Sequence, residues 1–294
     1  MFLSNTFCST ANLNLYDFDY SLCLEFAEIA DNIEFGNIKK TTKAYKIYDR
    51  KHQTDEILIR LNNSLIKITD NHKSWLNKRH IDESIFHTID YSKLSVQDKL
   101  DLFIYPSDHV IAEFGLIEVD GPAFCDYRNN QLVGIGIRNT STNLDYVAAS
   151  KYTFSNFGLF LWGFDDYDNN DTIYIVEGVF DAIVLRKFGY NAIATSNAWP
   201  TCIQLACIVQ KYKNIIVCLD NDLHGWCGSY MCSKILGCRT YTTESKDIGE
   251  YATSNHISLK EISQKELKHL ISKNINSYNT TLLKNSLHRQ LPYN

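Results

Sequence analysis

The chain has 294 residues, 45% of them hydrophobic and 21% charged, and its 29 Lys and Arg against 34 Asp and Glu give a formal charge of -5. That length suits one large domain or two modest ones, each with its own core, and the acidic balance excludes a global attraction to polyanions, so any basic groove must be local. The nine cysteines are odd in number and form no Cys-x-x-Cys pair, which predicts free thiols in a reducing compartment, buried as small apolar side chains, and no zinc site.

Taken in chain order, residues 1–70 show strand-like runs at 45–48 and 57–61 but no obvious chemistry. Residues 72–86 place apolar side chains at Trp75, Leu76, Ile81, Ile85 and Phe86, which predicts two short helices joined near His80–Asp82, the second capped by Asp82. Residues 95–165 alternate short aromatic and β-branched runs with turns, among them Asn129-Asn130 before Gln131-Leu-Val-Gly-Ile-Gly-Ile-Arg138, the pattern of a small mixed α+β lobe. The longest apolar stretch, around Gly158 to Gly163, is far too short to cross a bilayer, and the first residues lack the basic start of a signal peptide. A cytoplasmic protein with no membrane contact is expected.

From Thr172 the text alternates regularly. Strands are expected at 172–176, 191–195, 214–219 and 238–242, with helices at 180–188, 200–212 and 226–236, the first and last stopped at Gly189 and Gly237. Strands separated by single helices imply parallel pairing, with chemistry beyond the carboxyl ends of the strands. An amphipathic helix over 258–271, with Leu259, Ile262, Leu267, Leu270 and Ile271 near one side, is expected to pack on this domain. The predicted fold class is therefore α/β, a parallel sheet flanked by helices and preceded by a smaller mixed α+β lobe. The expected divisions are 1–70, 71–165, 166–254 and 255–294.

Two strand ends carry the chemistry. Glu177 follows the strand of 172–176, Gly178 lets the backbone turn, and Asp181 falls in the first turn of the next helix; Asp220 and Asp222 flank Asn221 after the third strand, with Gly225 near the following helix. An isolated Asp-x-Asp is usually a solvated turn, but two acidic strand ends in one alternating unit point to a shared site. Oxygen-only donors of this kind select a hard cation, Mg²⁺ or Mn²⁺, able to polarise a phosphoryl group.

The pair Glu177-Gly-Val-Phe-Asp181 and Asp220-Asn-Asp222-Leu-His-Gly225 resembles the Toprim domain of bacterial-type primases, topoisomerases, OLD-type nucleases and recombination mediators. Further elements in the same order are similar to the replicative primases and the primase half of phage primase-helicases. These are Trp75-Leu-Asn-Lys-Arg79-His-Ile81, with His80 where Gly is more common; the glycine-punctuated run ending at Arg138; Lys151-Tyr-Thr-Phe-Ser-Asn156; Leu159-Phe160-Leu-Trp-Gly163; and Lys246-Asp247-Ile-Gly-Glu-Tyr251. The resemblance implies that Glu177, Asp220 and Asp222 hold the metal ions with Asp181 in support, and that Arg138, Lys151 and Asp247 serve nucleotide or template binding across a cleft.

That resemblance implies a DNA primase making short RNA primers from ribonucleoside triphosphates on single-stranded DNA, in a cytoplasm that would be the host's for a phage protein. Residues 1–70 hold no zinc-ribbon cluster and no Gly-x-x-x-x-Gly-Lys-Ser/Thr follows residue 172, so a separate replicative helicase is the expected partner. A Toprim nuclease using the same acids, or a catalytically idle module that binds nucleic acid or a replisome partner, are the alternatives. A topoisomerase is disfavoured by length.

Overall fold

The computed structural model describes residues 20–33, 55–102, 120–128, 130–140, 151–155 and 160–275. Contacts within the chain divide it at 168/169 into two units, the second also taking in the helix Tyr20–Asp31 (α1).

The first unit is built on a five-stranded antiparallel sheet in the order β1-β2-β3-β4-β5: Leu65–Lys67, His87–Ile89, Ala123–Arg128, Gln131–Arg138 and Lys151–Ser155. Asn130 takes the left-handed conformation at φ 65°, which an Asn side chain tolerates, and so closes the turn between β3 and β4. Residues 57–61, expected as a strand, instead lie in a helix, Asp55–Ser64 (α2). Ile57, Leu58 and Leu61 share one helical face and bury against Ile89, Leu94, Ile135 and Ile137, each such side chain worth roughly 1.5–3 kcal/mol. The run Ile-Leu-Ile-Arg-Leu fits both periodicities, and the long-range packing decides for the helix.

Helix Asp70–Asn77 (α3) starts at Thr69, whose hydroxyl accepts the His72 N–H, and the 3-10 turn Glu83–Ile85 is capped by Asp82 as expected. Between them His80 holds φ 56°, a conformation that favours glycine, consistent with a tight reversal after Arg79. Helix Val96–Leu102 (α4) begins with a reciprocal cap: Ser95 Oγ accepts the Asp98 N–H while Asp98 Oδ2 accepts the Ser95 N–H at 3.1 Å. The interior carries a buried pair, Asp126 and Arg128 on β3, whose guanidinium also donates to the Leu161 carbonyl and sits 4.5 Å over the Phe164 ring.

The second unit is a five-stranded sheet in the order β10-β9-β8-β6-β7, made of Lys260–Glu261, Arg239–Thr242, Asn214–Val217, Thr172–Val176 and Asn191–Ala194. The β6/β7, β6/β8 and β8/β9 pairings are parallel and β10 runs antiparallel to β9. Ile173, Ile175, Ile193 and Val217 are fully buried, as strands covered on both faces require. The connecting helices are Val179–Lys187 (α5), Cys202–Lys211 (α6) and Leu223–Leu236 (α7), and α1 packs on α6 and α7.

Three boundaries differ most from the sequence expectation on the helix side. Helix α6 starts after Thr201, which forms a capping box with Gln204, and not at Pro200. Helix α7 starts at Leu223 because Asp222 caps it. The expected helix over 258–271 begins at residue 264, and residues 260 and 261 extend the sheet instead. Ser263 and Glu266 form its reciprocal cap, and Ile262, Leu267 and Ile271 are buried. The strand expected at 45–48 and the segment 156–159 lie outside the described residues. Among the described residues no helix is long and apolar enough to cross a membrane.

Candidate active site

Strand β6 ends at Val176, so Glu177 emerges at the carboxyl edge of the sheet and Gly178 becomes the N-cap of α5. Asp181, third residue of that helix, turns back on the cap: one carboxylate oxygen accepts the Gly178 N–H at 3.0 Å and the other the Gly249 N–H at 2.8 Å. With both oxygens taken by backbone donors, Asp181 ties the Glu177 turn to the segment after β9.

Strand β8 ends at Val217, earlier than the pattern suggested, so Asp220 and Asp222 lie in the loop beyond it. Three bonds of Asn221 hold that loop: its N–H donates to the Lys246 carbonyl at 2.6 Å, its amide to the Thr243 carbonyl at 3.0 Å, and its Oδ1 accepts the Trp226 indole N–H at 2.8 Å. Asp222 caps α7 by accepting the Gly225 N–H at 3.1 Å, while its other oxygen lies 3.7 Å from Lys246 Nζ. Helix α7 and the loop approach so closely that a Cβ on Gly225 would stand 1.9 Å from the Asp220 carbonyl oxygen. Glycine is required at that position.

These acids form one electrostatic cluster. Burial, then Asp181, Glu177, Asp222 and Asp247, push the Asp220 carboxyl up to about 8. Burial and Asp247 push Asp181 up to about 7 against its two N–H bonds, with Glu177 adding to the rise. The same field, after burial, raises the neighbouring Cys218 thiol to about 12 and keeps it protonated. Asp247 accepts the Glu250 N–H at 3.1 Å and contributes its charge to both aspartates.

Excess negative charge at the carboxyl edge of a parallel sheet, made only of hard oxygen donors, fits a divalent cation. Among the described residues no three His, Cys, Asp or Glu side chains close a coordination shell by themselves.

In the first unit Arg138 ends β4, and its Cα partner across the ladder is Lys151, the first residue of β5. The sequence places Arg79 in the motif from Trp75 to Ile81 but does not single it out as a site residue. Its guanidinium lies 3.6 Å from the Trp75 ring centroid, and burial together with the charge of Arg138 lowers its pKa, so two arginines share one neighbourhood. The Lys78-Arg79 pair after a short helix was the available signal. Asn221 and Lys246 were also overlooked, since Asn between two acids reads as a turn.

Residues 174–252 match a family model described as Toprim-like. No curated protein sequence matches the chain. Among solved structures, the chain is similar to the zinc-binding and RNA polymerase domains of the Aquifex aeolicus primase, with a TM-score of 0.50, 17% identity, and coverage of 89% of this chain and 69% of that one. It is similar also to the RNA polymerase domain of the Mycobacterium tuberculosis primase DnaG, with a TM-score of 0.50, 11% identity, and coverage of 74% and 82%. The primase fragment of the bacteriophage T7 primase-helicase is a weaker likeness, at a TM-score of 0.38 and 19% identity over 52% of this chain and 65% of that one. Residues 174–252 are thus Toprim-like. The chain as a whole has the fold of the RNA polymerase domain of bacterial-type primases.

Proposed function

We propose that the chain is a DNA primase, joining ribonucleotides into short primers on single-stranded DNA in the cytoplasm, with a separate replicative helicase as partner. One observation supports the reading: four acids, Asp181, Glu177, Asp222 and Asp247, act electrostatically on Asp220 at the carboxyl edge of a Toprim-like sheet, in a chain of primase fold. In the reaction a primer 3′-hydroxyl attacks the α-phosphate of the incoming nucleotide and pyrophosphate leaves. A divalent cation held by Glu177, Asp220 and Asp222 would supply Lewis-acid stabilisation of the charge on the transferring group.

The chain's own residues supply the frame. Asp181 fixes the Glu177 turn through two N–H bonds, Asn221 pins the loop that carries Asp220, and Gly225 admits that loop against α7. Lys246, beside Asp222, places one positive charge where an anionic nucleotide enters. In the first unit Arg138, with Lys151 and Arg79, offers the positive charge that holds phosphates of template or nucleotide, and Asp247 supports the acid cluster.

The test is a product assay with single-stranded DNA, labelled ribonucleotides and Mg²⁺ or Mn²⁺. Short RNA oligomers are expected, and Asp220→Asn should lower their yield by roughly a hundredfold or more while leaving the melting temperature unchanged or higher, because the cost of holding a buried carboxyl among other acids is gone. Shortened DNA would instead identify a nuclease using the same acids, and retained synthesis in the variant would refute the role of Asp220.

A further inference from the structure

The first unit contains a network that the reaction above does not use. His72, on α3, is 2% exposed, and both ring nitrogens are engaged: Nδ1 lies 3.0 Å from Thr88 Oγ1 and Nε2 lies 2.9 Å from Asp120 Oδ1. The Thr88 oxygen accepts the Thr69 N–H at 3.3 Å, leaving its own proton to be donated to Nδ1. In the tautomer protonated on Nε2 the ring donates to the Asp120 carboxylate while Nδ1 accepts from the Thr88 hydroxyl. Hydroxyl, imidazole and carboxylate in this order can also activate a nucleophile, but Thr88 is buried on β2 and already holds a backbone donor, so the arrangement serves to hold and not to react.

What it holds is the end of β4. The Asp120 carbonyl accepts the Thr140 N–H at 2.8 Å and the Thr140 hydroxyl at 3.0 Å, and the Pro122 carbonyl accepts the Arg138 N–H at 3.0 Å. Between them Gly121 lies so close that a Cβ there would stand 1.6 Å from the Arg138 carbonyl oxygen. The helix that carries His72 also leads directly into Arg79, so the network joins the two backbone segments that deliver the neighbouring arginines.

We propose that His72 is a positioning residue: through Asp120 it fixes the backbone of Arg138 relative to Arg79, and so sets the spacing of two guanidiniums that a nucleic-acid phosphate bridges. This rests on the reading of Arg138 as a phosphate-binding residue. Two like charges repel, and a rigid frame is what keeps them at a spacing useful to an anion.

The experiment is anisotropy of a fluorescein-labelled single-stranded oligodeoxynucleotide titrated with full-length variants, with melting curves as the folding control. Arg138→Ala should weaken binding, and His72→Ala and Asp120→Ala should each weaken it by roughly tenfold, the worth of one such bond. Because they act through Arg138, Asp120→Ala combined with Arg138→Ala should bind no worse than Arg138→Ala alone, and His72→Gln, which keeps a donor toward Asp120, should recover most of the loss. The Asp120 side chain is 68% exposed, so its variant folds even if His72→Ala does not. Wild-type binding by Asp120→Ala while Arg138→Ala is impaired, or losses that multiply in the double variant, would overturn the positioning role. Wild-type binding by Arg138→Ala would refute the phosphate-binding reading, and this one with it.

Discussion

Ser196 follows β7 by two residues, at the same sheet edge as Glu177, and holds φ 68°, in the left-handed region. Its hydroxyl is buried with no hydrogen-bond partner among the described residues, while next door the Thr195 N–H donates to the Val176 carbonyl and the Thr195 hydroxyl to the Asn197 carbonyl. Strained backbone and an unsatisfied hydroxyl each cost stability, and both concentrate at functional edges. Ser196→Gly should therefore raise stability by roughly 1 kcal/mol, read from urea unfolding, the strain relief exceeding the entropy glycine adds to the unfolded chain. A loss of stability would show that the hydroxyl is satisfied after all. Nothing in Ala194-Thr-Ser-Asn197 announces this: positive φ on a serine is imposed by the surrounding packing, and local propensity argues against it.

At the scale of elements, helix starts decide how the acids are presented. The step from Asp220 to α7 works because Asp222 caps the helix and Gly225 lets the loop lie on it. Gly225→Ala drives a methyl into backbone atoms that have nowhere to move, and should cost about 2 kcal/mol or more together with most of the activity, measured by melting and primer yield. An unchanged melting temperature would mean that the approach is looser than described. The Asp-x-Asp and its glycine were legible as a strand end, but the cap was not, since it depends on where β8 stops.

The cap of α4 gives a pH signature. Burial raises the Asp98 pKa, but the Ser95 hydroxyl and N–H and the Arg60 guanidinium outweigh it and hold the carboxyl below its ordinary 3.8. A depressed carboxylate stabilises the fold above its unfolded value, and that contribution disappears as pH falls through the depressed one. Asp98→Asn should cost about 1 kcal/mol at neutral pH, and its deficit against the wild type should shrink as pH falls below about 4. A deficit independent of pH would assign the effect to packing. This capping box, Ser95 to Asp98, was open to sequence reading because it needs only neighbours in the chain.

For the molecule as a whole, the alternating second half was readable because each buried β-branched strand and each intervening helix is a local pattern that parallel pairing then uses, as β6, β7 and β8 do. The first half was less so. Helix α2 shares its apolar run with a strand pattern, and α1 joins the second unit although it lies far from it in sequence, a contact no local signal encodes. The acids of the site come from segments some seventy residues apart, with Gly249 donating to Asp181, and only the sheet order brings them together.

The proposed task of these acids is to hold a divalent cation for nucleotidyl transfer. Its most direct measurement is Mn²⁺ binding followed by electron paramagnetic resonance, with a ribonucleoside triphosphate at a level too low to bind the ion by itself. Wild-type protein should remove the free-ion signal at about one ion or more per chain, and Asp220→Asn should restore most of it. A free-ion signal that wild type and variant leave equally undiminished would contradict the account.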